Sequence, residues 1–325
     1  MLAFLLRRLV SLIVTVWLAS IVVFAVLQLV PGDPALLMLG VNAQPDTLAA
    51  LRSQMGLDQP ILTRYLHWVG GLAHGDLGVS LTYARPVAEL VAERLAVTLP
   101  LALLSLIIST VLALPLGLLA AARRGRGGDW AVLGFAQLGV SMPSFWIAIL
   151  LILLFSLTLH WFPAGGFPGW TGPGWGGGIG PALHALLLPA LALAIPEAAI
   201  LARVTRTAVL DTLAEDHIRT ARAKGVGRVA VLLRHALPNA LIPVATVLGL
   251  QISFLVAGAV VVENVFTLPG LGRLLYQAIG QRDLIVVQGV VVLLALFVVL
   301  VNAVVDVACA LADPRPANSG QGRVS

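Results

Sequence analysis

The side chains able to do chemistry are few and far apart. Six histidines (His67, His74, His160, His184, His217 and His235) lack the close pairing a metal site needs, and no metal ligand set is expected. Cys309 is the only cysteine and lies in an apolar run, so it can form no intrachain disulfide. Lys224 is the only lysine among twenty basic residues, and it is followed by Gly225 and Val226. A phosphate-binding loop needs Gly-Lys-Ser/Thr, so that device is absent, as are His-Glu-x-x-His and Gly-x-Ser-x-Gly. Catalysis and a bound cofactor are therefore not expected of this chain. What remains is two acids in or near apolar stretches, Glu197 and Asp306, and one polar run from Asp216 to Gly225. An acid inside a membrane span is by default a functional candidate. Glu197 could line a path or pair with Arg203.

The elements that must position these groups are set by composition. The chain has 325 residues, 59% hydrophobic and 11% charged, with mean hydropathy +0.99. Soluble domains run roughly 45–50% apolar and about 25% charged, so a soluble enzyme and a disordered chain are both excluded. A helix crossing ~30 Å of hydrocarbon needs about 20 apolar residues. Leu9–Val30 is the first such run, flanked by Arg7-Arg8. It is longer than the ~7–15 residues of a signal-peptide core and is read as a retained span. Further helices are expected at about 95–122, entered by Pro100 and interrupted by Pro115, and at 131–159, 185–205, 236–262 and 284–308. The third and fourth are separated by Pro163–Pro181, where nine Gly and four Pro in nineteen residues cannot hold a helix. Trp170 and Trp175 there suit an interfacial loop. Pro143, Pro189 and Pro196 would bend the helices that contain them.

Six transmembrane helices make an all-α integral membrane protein with both termini on one side. The positive-inside rule chooses the side. With the termini cytoplasmic, fourteen basic residues lie inside and six outside, four of the six in one long outer segment. Topology thus explains the basic excess without nucleic acid. The chain divides into an N-terminal helix (1–30), an extracytoplasmic cap (31–94, with an amphipathic piece Val87–Leu95), a membrane domain (95–312) and a cytoplasmic tail (313–325).

The longest cytoplasmic segment, 207–239, carries the most specific pattern. Asp216 is a good N-cap, no breaker follows before Gly225, and Gly suits the left-handed C-terminal position. Ile218, Ala221 and Gly225 share one nearly flat face, while Arg219 and Arg222 could reach acidic groups on another protein. A second helical stretch, Val229–Ala236, is expected to stop at Leu237-Pro238-Asn239.

The run Asp216-His217-Ile218-Arg219-Thr220-Ala221-Arg222-Ala223-Lys224-Gly225, followed by Leu237-Pro238-Asn239, resembles the cytoplasmic loop of type I ABC importer permeases. Ala221, Gly225, Leu237 and Pro238 match the broad pattern; the departures are those of the dipeptide/oligopeptide permease family, in its first-subunit form. Val30-Pro31-Gly32-Asp33-Pro34, Gly75-Asp76-Leu77-Gly78, Ser141-Met142-Pro143-Ser144, Pro269-Gly270-Leu271-Gly272 and Asp313-Pro314-Arg315 extend the resemblance over nearly the whole chain. Glu197-Ala198-Ala199 spells the loop motif but lies within the fourth span and is read as a decoy.

The resemblance implies a type I ABC importer permease fold in a bacterial inner membrane. It further implies a second permease subunit in a heterodimer, two ABC ATPases that carry ATP and Mg, and an extracytoplasmic binding protein delivering di- or oligopeptides. Nickel complexes, glutathione or oligosaccharides are alternative cargoes, and a channel or secondary transporter is the alternative class. Asp216, Arg219, Thr220, Ala221, Arg222, Ala223, Lys224, Gly225, Leu237, Pro238 and Asn239 would form the ATPase-coupling loop. Glu197 and Pro143 would line the path. Glu263, Pro269, Gly270 and Gly272, ahead of an amphipathic piece Leu274–Ile279, would contact the binding protein or gate the outer mouth.

Overall fold

The computed structural model describes residues 2–29, 34–39, 44–54, 56–171 and 177–312. Val30–Asp33, Trp175, Asp313-Pro314-Arg315 and the tail 313–325 fall outside these residues, as do the side chains of Asp306 and Cys309. Among the described residues the secondary structure is helical, apart from one isolated bridge between Val79 and Pro86.

The first span is α1 (Leu2–Leu29). The outer segment holds three short helices, α2 (Pro34–Leu39), α3 (Pro45–Gln54) and α4 (Ile61–Ala73). The amphipathic piece expected at Val87–Leu95 is not separate: it is the start of α5 (Val87–Ala122), which passes Pro100 and Pro115 unbroken. No breaker lies between Val87 and the apolar run, and the charges Glu89, Glu93 and Arg94 merely occupy the helix's outer end.

The span expected at 131–159 is two helices. α6 (Gly127–Ser141) and α7 (Ser144–Leu151), which continues as a wider π-type helix through Thr158, meet at a 103° bend at Met142-Pro143. Pro143 lacks an N–H, and its ring disfavours helical backbone at Met142, which adopts φ −98°, ψ 121° instead. Next, α8 (Ile179–Leu213) runs well past 185–205 at both ends, continuous through Pro189 and Pro196. Then come α9 (Asp216–Ala223), the single turn α10 (Arg228–Ala230), and a π-type turn at Val231–Ala236 that leads into α11 (Leu237–Val265). The break expected at Leu237-Pro238 does not occur. Pro238 falls in the first turn after the π-type segment, where a missing N–H costs least. Finally α12 (Leu271–Gln281) and α13 (Leu284–Ala312) complete the chain. Among the described residues five helices are long and apolar enough to cross a membrane, and the count is six if the bent α6–α7 pair is one span.

The chain forms two compact units. The first comprises Met1–Ala102, Ala148–Pro189 and Val256–Val299; its core joins Leu77, the start of α5 (Val87, Leu90, Val91), α12 (Leu274, Ala278) and α13 (Val286, Val290). The Gly/Pro-rich loop is tied into it by Gly166 N–H to the Phe266 carbonyl at 2.8 Å and by Trp170 Nε1 to the Ala96 carbonyl at 2.7 Å. The second unit comprises Leu103–Ile147, Ala190–Leu255 and Leu300–Ser325. There α8 is approached closely by its neighbours. A Cβ on Gly117 of α5 would lie 2.7 Å from the Ala202 carbonyl, and one on Gly139 of α6 would lie 2.6 Å from the Ala199 side chain. Small residues permit such close helix contacts in membranes. Ala198 and Ala199 are fully buried, so the decoy motif is interior packing.

Candidate functional site

At the inner face, α9 is an eight-residue helix with two distinct sides. Ile218 and Ala221 are buried in a cluster with Val209 of α8 and Val231, Ala236 and Ala240 of the following segment. Removing Ile218 from water contributes on the order of 2 kcal/mol to holding the helix down. The other side is bare. Asp216, Arg219, Thr220, Arg222, Ala223 and Lys224 are exposed, and the Asp216–Arg219 pair at 3.2 Å is exposed on both members. Asp216 is not the N-cap: Glu215 holds that position with extended backbone and no side-chain cap bond, and Asp216 is the first helical residue. A carboxylate there still complements the helix dipole. At the other end Lys224 is the C-cap and Gly225 follows at φ +80°, the left-handed conformation glycine adopts at least cost.

The two halves of the loop motif meet. The Asn239 amide lies 3.4 Å from His217 Nε2 and donates to the His235 carbonyl at 3.2 Å, so the start of α11 abuts α9. Leu237 and Pro238 form the first turn of α11.

One further inner contact has no motif to announce it. Asp129 at the start of α6 is buried and accepts from Arg206 of α8 through both carboxylate oxygens, at 2.6 and 2.8 Å, and from the Gly125 N–H at 2.8 Å. Such a two-pronged pair fixes orientation as well as distance. The only sequence signal was an acid placed at the edge of a long charge-free run.

Glu197 sits mid-way along α8 with one carboxyl oxygen buried and unpartnered. Gln251 of α11 donates to its backbone carbonyl at 2.8 Å. It makes no ion pair with Arg203: six residues apart on a helix places the two on different faces. Arg203 instead lines a hollow of about 340 Å³ with Thr207, Asp211 and Pro243. Pro143 is exposed at the α6–α7 bend.

At the outer face, Glu263, Gly270 and Gly272 are buried. The Glu263 side chain is turned into the protein, and the two glycines lie where the backbone packs closely. Glu263 at the end of α11 caps the N-terminus of α12, accepting from the Gly272 N–H at 2.7 Å and the Arg273 N–H at 3.3 Å. Thr98 of α5 donates to its other oxygen at 2.5 Å and accepts from the Leu271 N–H at 2.9 Å. Three of the N–H groups a helix start leaves unpaired are thereby satisfied. Gly270 is required because a Cβ would fall 2.1 Å from the Glu263 carboxyl, and Gly272 because one would fall 2.2 Å from the Val260 Cα. Pro269 precedes them and is half-buried. At the other end of α12, Asp283 is buried, accepting from Ser80 at 2.6 Å, from the Thr82 N–H at 3.1 Å, and from the Val286 N–H at 3.3 Å in the first turn of α13. The outward surface of α12 is Tyr276 and Ile279.

Residues 113–318 match the family described as binding-protein-dependent transport system inner membrane component. Residues 1–102 match the N-terminal region of binding-protein-dependent transport system membrane components. A protein of Brucella suis biovar 1, provisionally named a peptide transport system permease protein, is 45% identical over 317 residues, covering 97% of this chain and 99% of that one. The glutathione transport system permease protein GsiC of Escherichia coli K12 is 40% identical over 314 residues, covering 97% and 98%. A solved structure of the MetNI methionine ABC transporter in inward-facing conformations shares the fold with TM-score 0.50 at 20% identity, over 69% of this chain and 96% of that one. The helical membrane fold and these matches agree: the chain belongs to the binding-protein-dependent transport system inner membrane component family and is a multi-pass permease subunit of an ABC importer.

Proposed function

We propose that this permease, paired with a second permease chain, forms the path by which short peptides delivered by an extracytoplasmic binding protein enter the cell. In this reading two partner ATPases hold ATP and Mg, and α9 passes their motion to the spans, this chain itself catalysing nothing. The observation that carries it is the two-sidedness of α9: Ile218 and Ala221 anchor it while Arg219, Thr220, Arg222 and Lys224 face outward. A helix serving topology alone has no need of an anchored inner side and a basic outer one. Peptide cargo is supported by the relatives named for peptide and glutathione transport, glutathione being itself peptide-like. Glu197, with an unpartnered carboxyl oxygen, and the bend at Pro143 remain the candidates for the path. The Glu263–Gly272 cap serves an outer gate by holding α12 in place.

The test uses the whole transporter in proteoliposomes. Arg219→Glu reverses charge on the exposed side and Gly225→Val forces a branched side chain into φ +80°. Both are expected to reduce ATPase co-purification and uptake while the permease still inserts. Normal uptake by both variants would overturn the coupling role. For the cargo, calorimetry of the cognate binding protein with dipeptides, oligopeptides and glutathione decides, and binding of none of them removes the peptide assignment.

A further inference from the structure

At the outer end of the first unit lies a cavity of about 430 Å³ with a lining unlike that of a packing defect. α4 supplies Arg64 and His67, the turn after it supplies Asp76, α1 supplies Phe24 and Gln28, and α13 supplies Gln288. The Gln288 Nε2 is buried without a hydrogen-bond partner. Arg64 pairs with no carboxylate among the described residues. Asp76 uses one oxygen to accept from the Gly78 N–H at 2.8 Å, leaving the other available. A half-buried cation, an unused amide donor and an exposed carboxylate therefore border one space, and the buried Gln288 amide calls for a partner.

α4 is amphipathic in the reverse sense to a helix on a water-facing protein. Arg64, His67 and Gly71 line the cavity. Leu62 and Leu66, on the opposite side, are 68% and 60% exposed. Polar inside and apolar outside is the arrangement that an apolar medium selects. Depth agrees with this. Tyr65 of α4 hydrogen-bonds Ser20 of α1 at 2.9 Å and packs edge-on against Phe24. At ~1.5 Å per residue, Ser20 lies about 18 Å along α1 from Arg8, within ~30 Å of hydrocarbon. By the same count Gln28 is about 30 Å from Arg8, at the level of the outer headgroups. α4 thus lies along the outer leaflet, and its cavity opens where phosphates and ammonium groups reside.

We propose that this cavity holds the headgroup of an outer-leaflet phospholipid bearing a phosphodiester and a primary ammonium. Arg64, with His67 and the Gln288 amide, takes the phosphate; Asp76 takes the ammonium; the acyl chains run down the apolar surfaces of α1 and α4. Val22 and Val26, exposed on the side of α1 away from Phe24, offer such apolar surface. A guanidinium suits a phosphate by its forked donors. The lipid would fix the cap against the first span, a role that nothing in the transport reading requires.

The test is native mass spectrometry of the full transporter complex in detergent, titrated separately with dioleoyl phosphatidylethanolamine and dioleoyl phosphatidylglycerol. The wild type should retain the ethanolamine lipid about ten-fold better than the glycerol lipid, since only the former offers an ammonium to Asp76. Arg64→Gln should lose retention of both, Arg64→Lys should keep most of it, and Asp76→Asn should erase the preference. Free O-phosphoethanolamine and dialanine separate a lipid site from a site for soluble phosphate or peptide. Equal retention of the two lipids by the wild type, undiminished retention by Arg64→Gln, or binding of either soluble compound as tightly as the lipid would each overturn the proposal.

Discussion

Two short helices, α9 on the inner side and α12 on the outer, each join a pair of spans and each put an apolar stripe inward, yet they are secured by different physics. α12 is bracketed by buried acids: Glu263 and Thr98 cap its start, and Asp283 follows its end. α9 has no side-chain cap and is held mainly by Ile218 and Ala221. Buried hydrogen bonds are directional and costly to leave unmade, so α12 has essentially one position. Apolar contact is not directional, and a helix held by it can tilt while its outer side engages something else. The outer helix is built as a fixed part and the inner one as a part to be gripped.

The largest effect that could break this contrast is at Glu263. Glu263→Ala leaves the Thr98 hydroxyl and the Gly272 and Arg273 N–H groups without their acceptor, each worth about 1–3 kcal/mol when buried. Yield of folded permease should fall sharply, with Glu263→Gln intermediate, as read by size-exclusion fluorescence. Survival of Glu263→Ala at full yield would mean that α12 is not locked by its cap. Next, Asp129→Asn weakens the pair with Arg206 and should cost about 1.5–3 kcal/mol, visible as a lower unfolding temperature. Ile218→Ala tests the looseness of α9 directly. Because α9 can open locally, the loop should become protease-sensitive and lose ATPase binding while the global unfolding temperature barely moves. A global loss as large as that of Glu263→Ala would erase the distinction. Arg219→Ala should change stability by no more than about 0.5 kcal/mol while reducing ATPase association several-fold. Smallest of all, Arg85 bridges Glu89 and Glu93 in full view of solvent. Arg85→Ala should leave unfolding temperature and uptake unchanged, a control for outer-face charge removal.

The inner site was the more legible. A stretch rich in charge between apolar runs, closed by Gly225 and punctuated by Leu237-Pro238, is a local pattern, and helix α9 with its left-handed glycine is a local structure. Sequence reasoning erred on Asp216 as the cap by one residue, and on Pro238 as a stop because a π-type turn upstream absorbs the missing bond. At the outer site the turn chemistry of Pro269-Gly270-Leu271-Gly272 is legible locally, but the cap that Glu263 makes on α12 is not, because the acid and the N–H groups it accepts from lie on two different helices. Thr98, Asp283 and the Asp129–Arg206 pair carried almost no local signal at all.

Composition, the lengths of the charge-free runs and the side favoured by arginine determined that this chain crosses a membrane about six times, and which loops face the cytoplasm. Those properties follow from the transfer of short segments out of water, which each segment settles largely for itself. Only the tertiary structure decided which acids are interior, because their partners are remote in the chain: Glu263 meets Thr98 across 165 positions, Ser80 meets Asp283 across 203, and Asp129 meets Arg206 across 77. Burying a carboxyl costs least where such donors converge on it, and convergence is a property of the packed helices and not of any one of them.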